Sequence, residues 1–142
     1  MIVAVGRVKD RPLRAAIDEY LGRVRHYSAC VEVELPDAPA AKLEPAFERA
    51  TAEATTIALE VDGQALDSGG FAKGVARAAE RNKGIVAFLI GGADGLPKRI
   101  SASAHARWSL SALTFPHRLA RLVLAEQIYR SMTILRGEPY GH

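Results

Sequence analysis

The stretch IVAFLIGGADG, residues 85–95, decides the fold class. Its first six residues form an unbroken apolar run, the pattern of a strand covered on both faces, as strands of parallel sheets are. Gly91 and Gly92 follow the run at once, and Gly95 closes the segment. Glycines directly after a buried strand let a ligand approach the backbone closely, and they serve a tight strand-to-helix turn equally well. The spacing is not the dinucleotide fingerprint G-x-G-x-x-G. It is not a P-loop either, because Lys98 is not followed by Ser or Thr.

Outward from this strand the chain alternates strand and helix. Ile2–Val5 is a short apolar run stopped by Gly6. Leu13, Ile17, Tyr20, Leu21 and Val24 recur at helical spacing, so 11–25 reads as an amphipathic helix. VEVEL (31–35) alternates as a half-buried strand, and 42–55 reads as a helix weakened by Pro45. TIALEVDG (56–63) is a strand expected to end in its Asp-Gly turn, and Ser68 is expected to cap a helix reaching about Asn82. A short helix over 97–106 leads to WSLSALTF, which alternates like a strand that holds Ser109 and Ser111 and breaks at Pro116, and a long helix ends the chain. There are no repeats, no low-complexity segments and no linker, so the expectation is a single domain over 1–142. Such alternation implies an α/β fold, a mostly parallel sheet with helices on both faces. Ligands of such sheets bind beyond the carboxyl ends of the strands. Three loops therefore stand out: after 59–61, after Ile90 and after 112–113.

The last of these poses a chemical question. WSLSALTFPH (108–117) places the hydroxyls of Ser111 and Thr114 among Leu113, Phe115 and Pro116. A plain turn would use Gly, Asn or Asp. Small polar residues among apolar ones suit a cleft that holds something flat and apolar through backbone hydrogen bonds.

Composition sets the outer bounds. Of 142 residues, 49% are hydrophobic and 25% charged, which describes a globular chain. No apolar run approaches the roughly 20 residues of a membrane span. Cys30 is the sole cysteine, which excludes a disulfide within the chain and agrees with a reducing, cytoplasmic setting. The net charge of +3 is unevenly spread. Residues 1–30 carry six basic and three acidic residues, 31–68 two and nine, and 69–142 eleven and four. If the basic ends meet, they form a face for a polyanion, the basic residues Arg11, Arg14, Arg23 and Arg25 among them. A merely solvated surface gives the same counts.

Other chemistry is sparse. His26, His105, His117 and His142 show no metal-ligand spacing with Cys30 or each other, so no metal is expected. No G-x-S-x-G elbow occurs. Glu126 and Arg130 are four apart with the acid first, which is an ordinary helix ion pair or part of a site.

FLIGGADG, then WSLSALTFPHRLARLVLAEQIYRS, then a terminal PY, together resemble the small SPOUT-class methyltransferases. Within that class they are most similar to the family of large-subunit rRNA methyltransferase H, which methylates N3 of a pseudouridine. The resemblance spans the whole chain. It implies a sheet with a C-terminal trefoil knot, S-adenosylmethionine as cofactor, a homodimer, and the ribosome with its large-subunit rRNA as partner. It also implies that Leu59, Gly92, Leu110, Ser111, Ala112, Leu113, Thr114 and Phe115 hold the cofactor, the backbone of 110–115 gripping the adenine. Arg130 and Tyr140 match acceptor-side positions of the family. The family tail reads HPYH before a basic residue, whereas this chain reads GEPYGH, with Glu138 and Gly141 at the usual histidine positions. His142 is the one tail group titrating near neutrality that is left to serve as a base. Two other readings stay open: a non-catalytic RNA- or nucleotide-binding module, and a methyltransferase of the same class acting on another RNA such as tRNA.

Overall fold

The computed structural model describes residues 1–140. Five strands and five helices alternate in order: β1 (Ile2–Val5), α1 (Arg11–Arg25), β2 (Glu32–Leu35), α2 (Ala40–Ala50), β3 (Thr55–Ala65), α3 (Ser68–Ala79), β4 (Val86–Ile90), α4 (Lys98–Ser103), β5 (Ala106–Ser109) and α5 (His117–Arg136). The strands form one sheet in the order β2-β1-β4-β3-β5, every pair parallel. β1 and β4 lie inside it, and their apolar runs are buried almost throughout. This is the two-faced burial that the run at 85–90 implies.

Each face of the sheet has its own core. Ile17, Leu21 and Val24 of α1, Phe71 and Val75 of α3, and Leu124 and Ile128 of α5 pack with Ile2, Ile57, Phe88 and Trp108. Leu43 and Phe47 of α2 and Ile100 of α4 pack with Val3, Val5, Ala58 and Leu89. Helices on both faces follow from the parallel connections, which must cross over the sheet to return.

Four local expectations need correction. β3 does not stop at Asp62-Gly63. It continues to Ala65 beside β5, with a register shift between Leu59 and Gln64. Gly63 is needed there, since a Cβ would stand 2.7 Å from the Trp108 carbonyl carbon. The cap of α3 is Asp67, whose carboxylate accepts from the Gly70 N–H, while the Ser68 hydroxyl donates to Gln127. The helix at 97–106 is only Lys98–Ser103. And β5 ends at Ser109, so Ser111 lies in the loop that follows, not on a strand.

The acidic middle of the chain does not turn away from its basic ends. Arg14 of α1 bonds Asp18 at 2.8 Å and Glu32 of β2 at 2.6 Å. Arg23 pairs with Glu19, and Arg25 donates to the Cys30 carbonyl. These cations are partly spent inside the fold. No helix among the described residues is long and apolar enough to cross a membrane.

Candidate functional site

The irregular part of β3 at 59–61, where its register shifts, and the loops after β4 and β5 enclose a cleft of about 680 Å³. These are the three segments singled out from the sequence, although the first is strand and not loop, and the volume lies in the range of small-molecule sites. Leu59, Gly92, Leu110, Ser111, Leu113, Thr114 and Phe115 all line it. Ala112 belongs to the same loop but is exposed and outside the lining.

Hydroxyls shape the loop at 110–116. Ser109 Oγ donates to the Ser111 carbonyl at 2.9 Å, and Ser111 Oγ accepts the Leu113 N–H at 3.0 Å. These short-range bonds bend the backbone in place of a glycine turn. Among the described residues, positions 111–115 make no backbone–backbone hydrogen bond. Their remaining amides and carbonyls are open to a ligand, and such groups need partners once buried. Leu113 is 71% exposed, an unusual position for a leucine unless something covers it. Pro116 then ends the bend and precedes the first turn of α5.

The glycines of the opposite wall serve packing first. A Cβ on Gly91 would stand 2.2 Å from the Gly95 carbonyl carbon, because the loop folds back on itself. A Cβ on Gly92 would stand 3.0 Å from Val5 Cγ1. Gly92 therefore presents backbone to the cleft while its missing side chain accommodates β1. Gly95 has φ +75°, which also favours glycine.

Two titratable lining residues escaped the sequence reading: Glu60 and His117. Glu60 is the acid of LEVDG next to Leu59, half-buried inside β3 where its register shifts. His117 opens α5, and its ring covers Gly6, whose positive φ leaves room for it. Burial lowers the His117 pKa, and Arg121 and Arg118 add to that, so the imidazole is neutral at pH 7.

Arg130 and Tyr140 are together, but away from this cleft. Arg130 is bonded to Glu126 at 2.6 Å, and its guanidinium stands 4.3 Å from the centre of the Tyr140 ring. The ion pair that the spacing of 126 and 130 suggests is therefore present. Tyr140 packs edge-on against Tyr129. Burial and the neighbouring Glu126 and Tyr20 push its phenol well above its usual pKa, so it is a neutral donor. Thirteen residues of helix separate Arg130 from His117, about 20 Å at 1.5 Å per residue. His142 lies outside the described residues.

The family model described as Predicted SPOUT methyltransferase matches residues 1–142. The chain belongs to the SPOUT methyltransferase family. Among SPOUT relatives, Ribosomal RNA large subunit methyltransferase H of Sorangium cellulosum is 66% identical over 142 residues, covering 100% of this chain and 98% of that one. The protein of the same name in Anaeromyxobacter dehalogenans is 43% identical, with 98% and 96% covered. A crystal structure of a probable methyltransferase from Bordetella pertussis Tohama I shares the fold, with a TM-score of 0.59, 15% identity and 92% of each chain covered. SPOUT methyltransferases take their methyl group from S-adenosylmethionine, and the cleft fits that cofactor. It has apolar walls for a flat ring in Leu59, Leu113 and Phe115, and open backbone groups for the ring edge. Among the described residues no group of side chains suits a metal ion.

Proposed function

We propose that this SPOUT methyltransferase methylates N3 of a pseudouridine in large-subunit rRNA. The observation that carries the reading is the cleft, in which the open backbone of 111–115 faces Leu59 and Gly92. The printed names of its relatives, at 66% and 43% identity, support rRNA as the substrate.

When bound, S-adenosylmethionine supplies an activated methyl group on a sulfonium. The residues of this chain position the reactants. Leu59, Leu113 and Phe115 would cover the adenine, and the amides and carbonyls of 111–115 would hold its edge. Glu60 would accept from the cofactor's hydroxyls. N3 of the acceptor loses its proton as the new N–C bond forms, and Arg130 stabilises the electron-rich ring. Tyr140, held neutral, donates a hydrogen bond to the base or stacks on it. His142 takes the proton directly or through water.

Arg130 and Tyr140 reach a cleft only in a homodimer. Leu119, Val123, Arg130 and Ile134 lie along one stripe of α5, and Leu119 and Ile134 are 41% and 43% exposed. Two copies of this stripe packed antiparallel across a two-fold axis bury it. That arrangement sets the Arg130 end of one α5 beside the His117 end of its partner, so each cleft borrows its acceptor side from the other chain. The reading includes the family's C-terminal trefoil knot and a cytoplasmic site of action.

Two measurements test it. Calorimetry with S-adenosylhomocysteine is expected to show binding to the purified protein, and no binding would favour a module without catalysis. Mass spectrometry of rRNA and tRNA from a deletion strain is expected to show one methyl group missing from a large-subunit pseudouridine. A methyl group missing from tRNA instead would reassign the substrate.

A further inference from the structure

A second groove, of about 380 Å³, runs between α3 and the β3–β5 edge of the sheet. Lys73, Arg77 and Arg81 line it, and all three are exposed. Among the described residues no carboxylate lines the groove, and none of the three cations forms a salt bridge. Among the described residues half of the other arginines form salt bridges: Arg14, Arg23, Arg99, Arg107, Arg121 and Arg130. Unpaired cations gathered along a groove are the electrostatic footprint of a polyanion.

Geometry narrows the ligand. Lys73 and Arg77 are one turn apart on α3, about 6 Å along its axis. Arg81 follows in the turn past the helix end, where its N–H bonds the Ala78 carbonyl. That step is close to the spacing of successive phosphates along one RNA strand. Gly70 and Gly74 lie on α3 beside Lys73 and Arg77 and keep that wall low in side chains. Gly74 cannot carry a Cβ, which would stand 2.6 Å from the Trp108 ring. His105 also lines the groove, and its Nδ1 already accepts the Thr56 N–H at 2.9 Å. The neutral ring then carries its proton on Nε2, one more donor for a phosphate oxygen.

We propose that this groove seats the phosphate backbone of the rRNA strand flanking the target nucleotide. The inference rests on the reading of the chain as an rRNA methyltransferase and adds the surface that holds the substrate outside the cleft. Such contacts fix register and orientation and carry the salt dependence of binding.

The test replaces Lys73, Arg77 and Arg81 with Gln together. A control triple, Lys42→Gln, Arg49→Gln and Lys98→Gln, removes the same charge from the α2–α4 side. Binding of ribosomes and of deproteinised large-subunit rRNA is measured for each across a salt series. The groove triple is expected to lose about tenfold or more in affinity for both, and its log–log salt slope to fall by about 2, at ~0.7 per lost phosphate contact. The control is expected to match the wild type, and all three proteins to bind S-adenosylhomocysteine equally. Wild-type affinity for rRNA in the groove triple, or an equal loss in the control, overturns the proposal. So does a groove triple that loses ribosomes but keeps naked rRNA, since the groove would then seat an acidic protein surface. Failure of the wild type to transfer methyl groups to rRNA would sink the functional reading instead, and the two failures are read from different measurements.

Discussion

Arg121 is the one charged residue among the described residues with no exposure at all. Its guanidinium bonds Glu34, reaches Glu32 at 3.2 Å and donates to the Gly6 carbonyl at 2.9 Å. It thereby fastens the start of α5 to the ends of β1 and β2, one turn below His117 and the cleft. Helical periodicity alone makes α5 an apolar helix buried on several sides, yet an arginine occupies one of its fully buried positions, and Leu119 is exposed. Spacing cannot show this, because the acids that neutralise Arg121 lie 87 and 89 positions away. Replacing it removes the nearest cation from Glu34 and leaves Arg14 alone to offset both carboxylates, which is the costly way to break a buried pair. Arg121→Met is expected to lower unfolding free energy by about 3 kcal/mol in urea denaturation. A loss below about 1 kcal/mol would mean that water takes over the role. The same cluster sets the acid response. Burial works against charge on Glu34, but the bonds from Arg121 and Val8 outweigh it, so its pKa is lowered. His117 is also lowered, by burial first. In both cases the unfolded chain binds the proton more readily, so stability falls with falling pH. The decline is expected to begin below about pH 6.5, where unfolded His117 protonates, and to steepen below about 4.5 as Glu34 follows. In a pH series of denaturation midpoints, His117→Gln should remove the first part and leave the second.

At the scale of elements, most candidate cofactor residues sit in loops, while the strands carry the legibility. The run at 85–90 and the alternation around it were enough to place a parallel sheet, its covering helices and the three segments that enclose the cleft. What the pattern misjudged is the stretch 108–115, whose alternation continues past the true end of β5. Pairing decides that end: β5 needs β3 beside it, and the last registered partner is Ala65 with Ser109. The same non-local pairing carries β3 past Asp62-Gly63, a turn signal in isolation. Beyond Ser109 the hydroxyl bonds of Ser109 and Ser111 bend the chain, and Leu113 is left in solvent. Leu113→Ser is therefore expected to leave stability within about 0.5 kcal/mol. It should weaken S-adenosylhomocysteine binding about tenfold, the equivalent of roughly 1.5 kcal/mol of apolar cover. Unaltered affinity in calorimetry would remove this loop from the adenine site. On the facing loop the two glycines should separate cleanly. Gly91→Ala drives a methyl into the Gly95 backbone and is expected to cost about 3 kcal/mol or more in stability. Gly92→Ala asks Val5 to give by a few tenths of an ångström and is expected to cost about 1 kcal/mol. Equal costs would mean that the loop 91–95 relaxes freely.

For the whole molecule, the chain's two sets of site residues lie on opposite ends of α5. The candidate cofactor residues cluster by the His117 end and Arg130 with Tyr140 by the other, so on the proposed roles one chain alone does not bring them to a single nucleotide. A list of site residues taken from resemblance conceals this division, since sequence order says nothing about which copy supplies which residue. The proposed two-fold pair along the Leu119–Ile134 stripe would close the gap, and its isologous contact would supply two complete sites at once. The consequence is complementation. Phe115→Asp should disable the cofactor cleft and Arg130→Ala the acceptor side, each homodimer losing methyl transfer to ribosomes. Co-expressed, the two variants pair at random, and half of the dimers are mixed. In a mixed dimer one cleft has both its cofactor wall and the partner's arginine, while the other has neither. Half of the dimers with one of two sites intact gives about a quarter of wild-type activity, on the two-fold geometry alone. Sedimentation should show every preparation dimeric at micromolar concentration. Recovery of a quarter would place Arg130 across the interface. Two dimeric variants that recover nothing together would place Arg130 and the cleft in the same chain's site, and α5 would then have to bend or shift to bring them together.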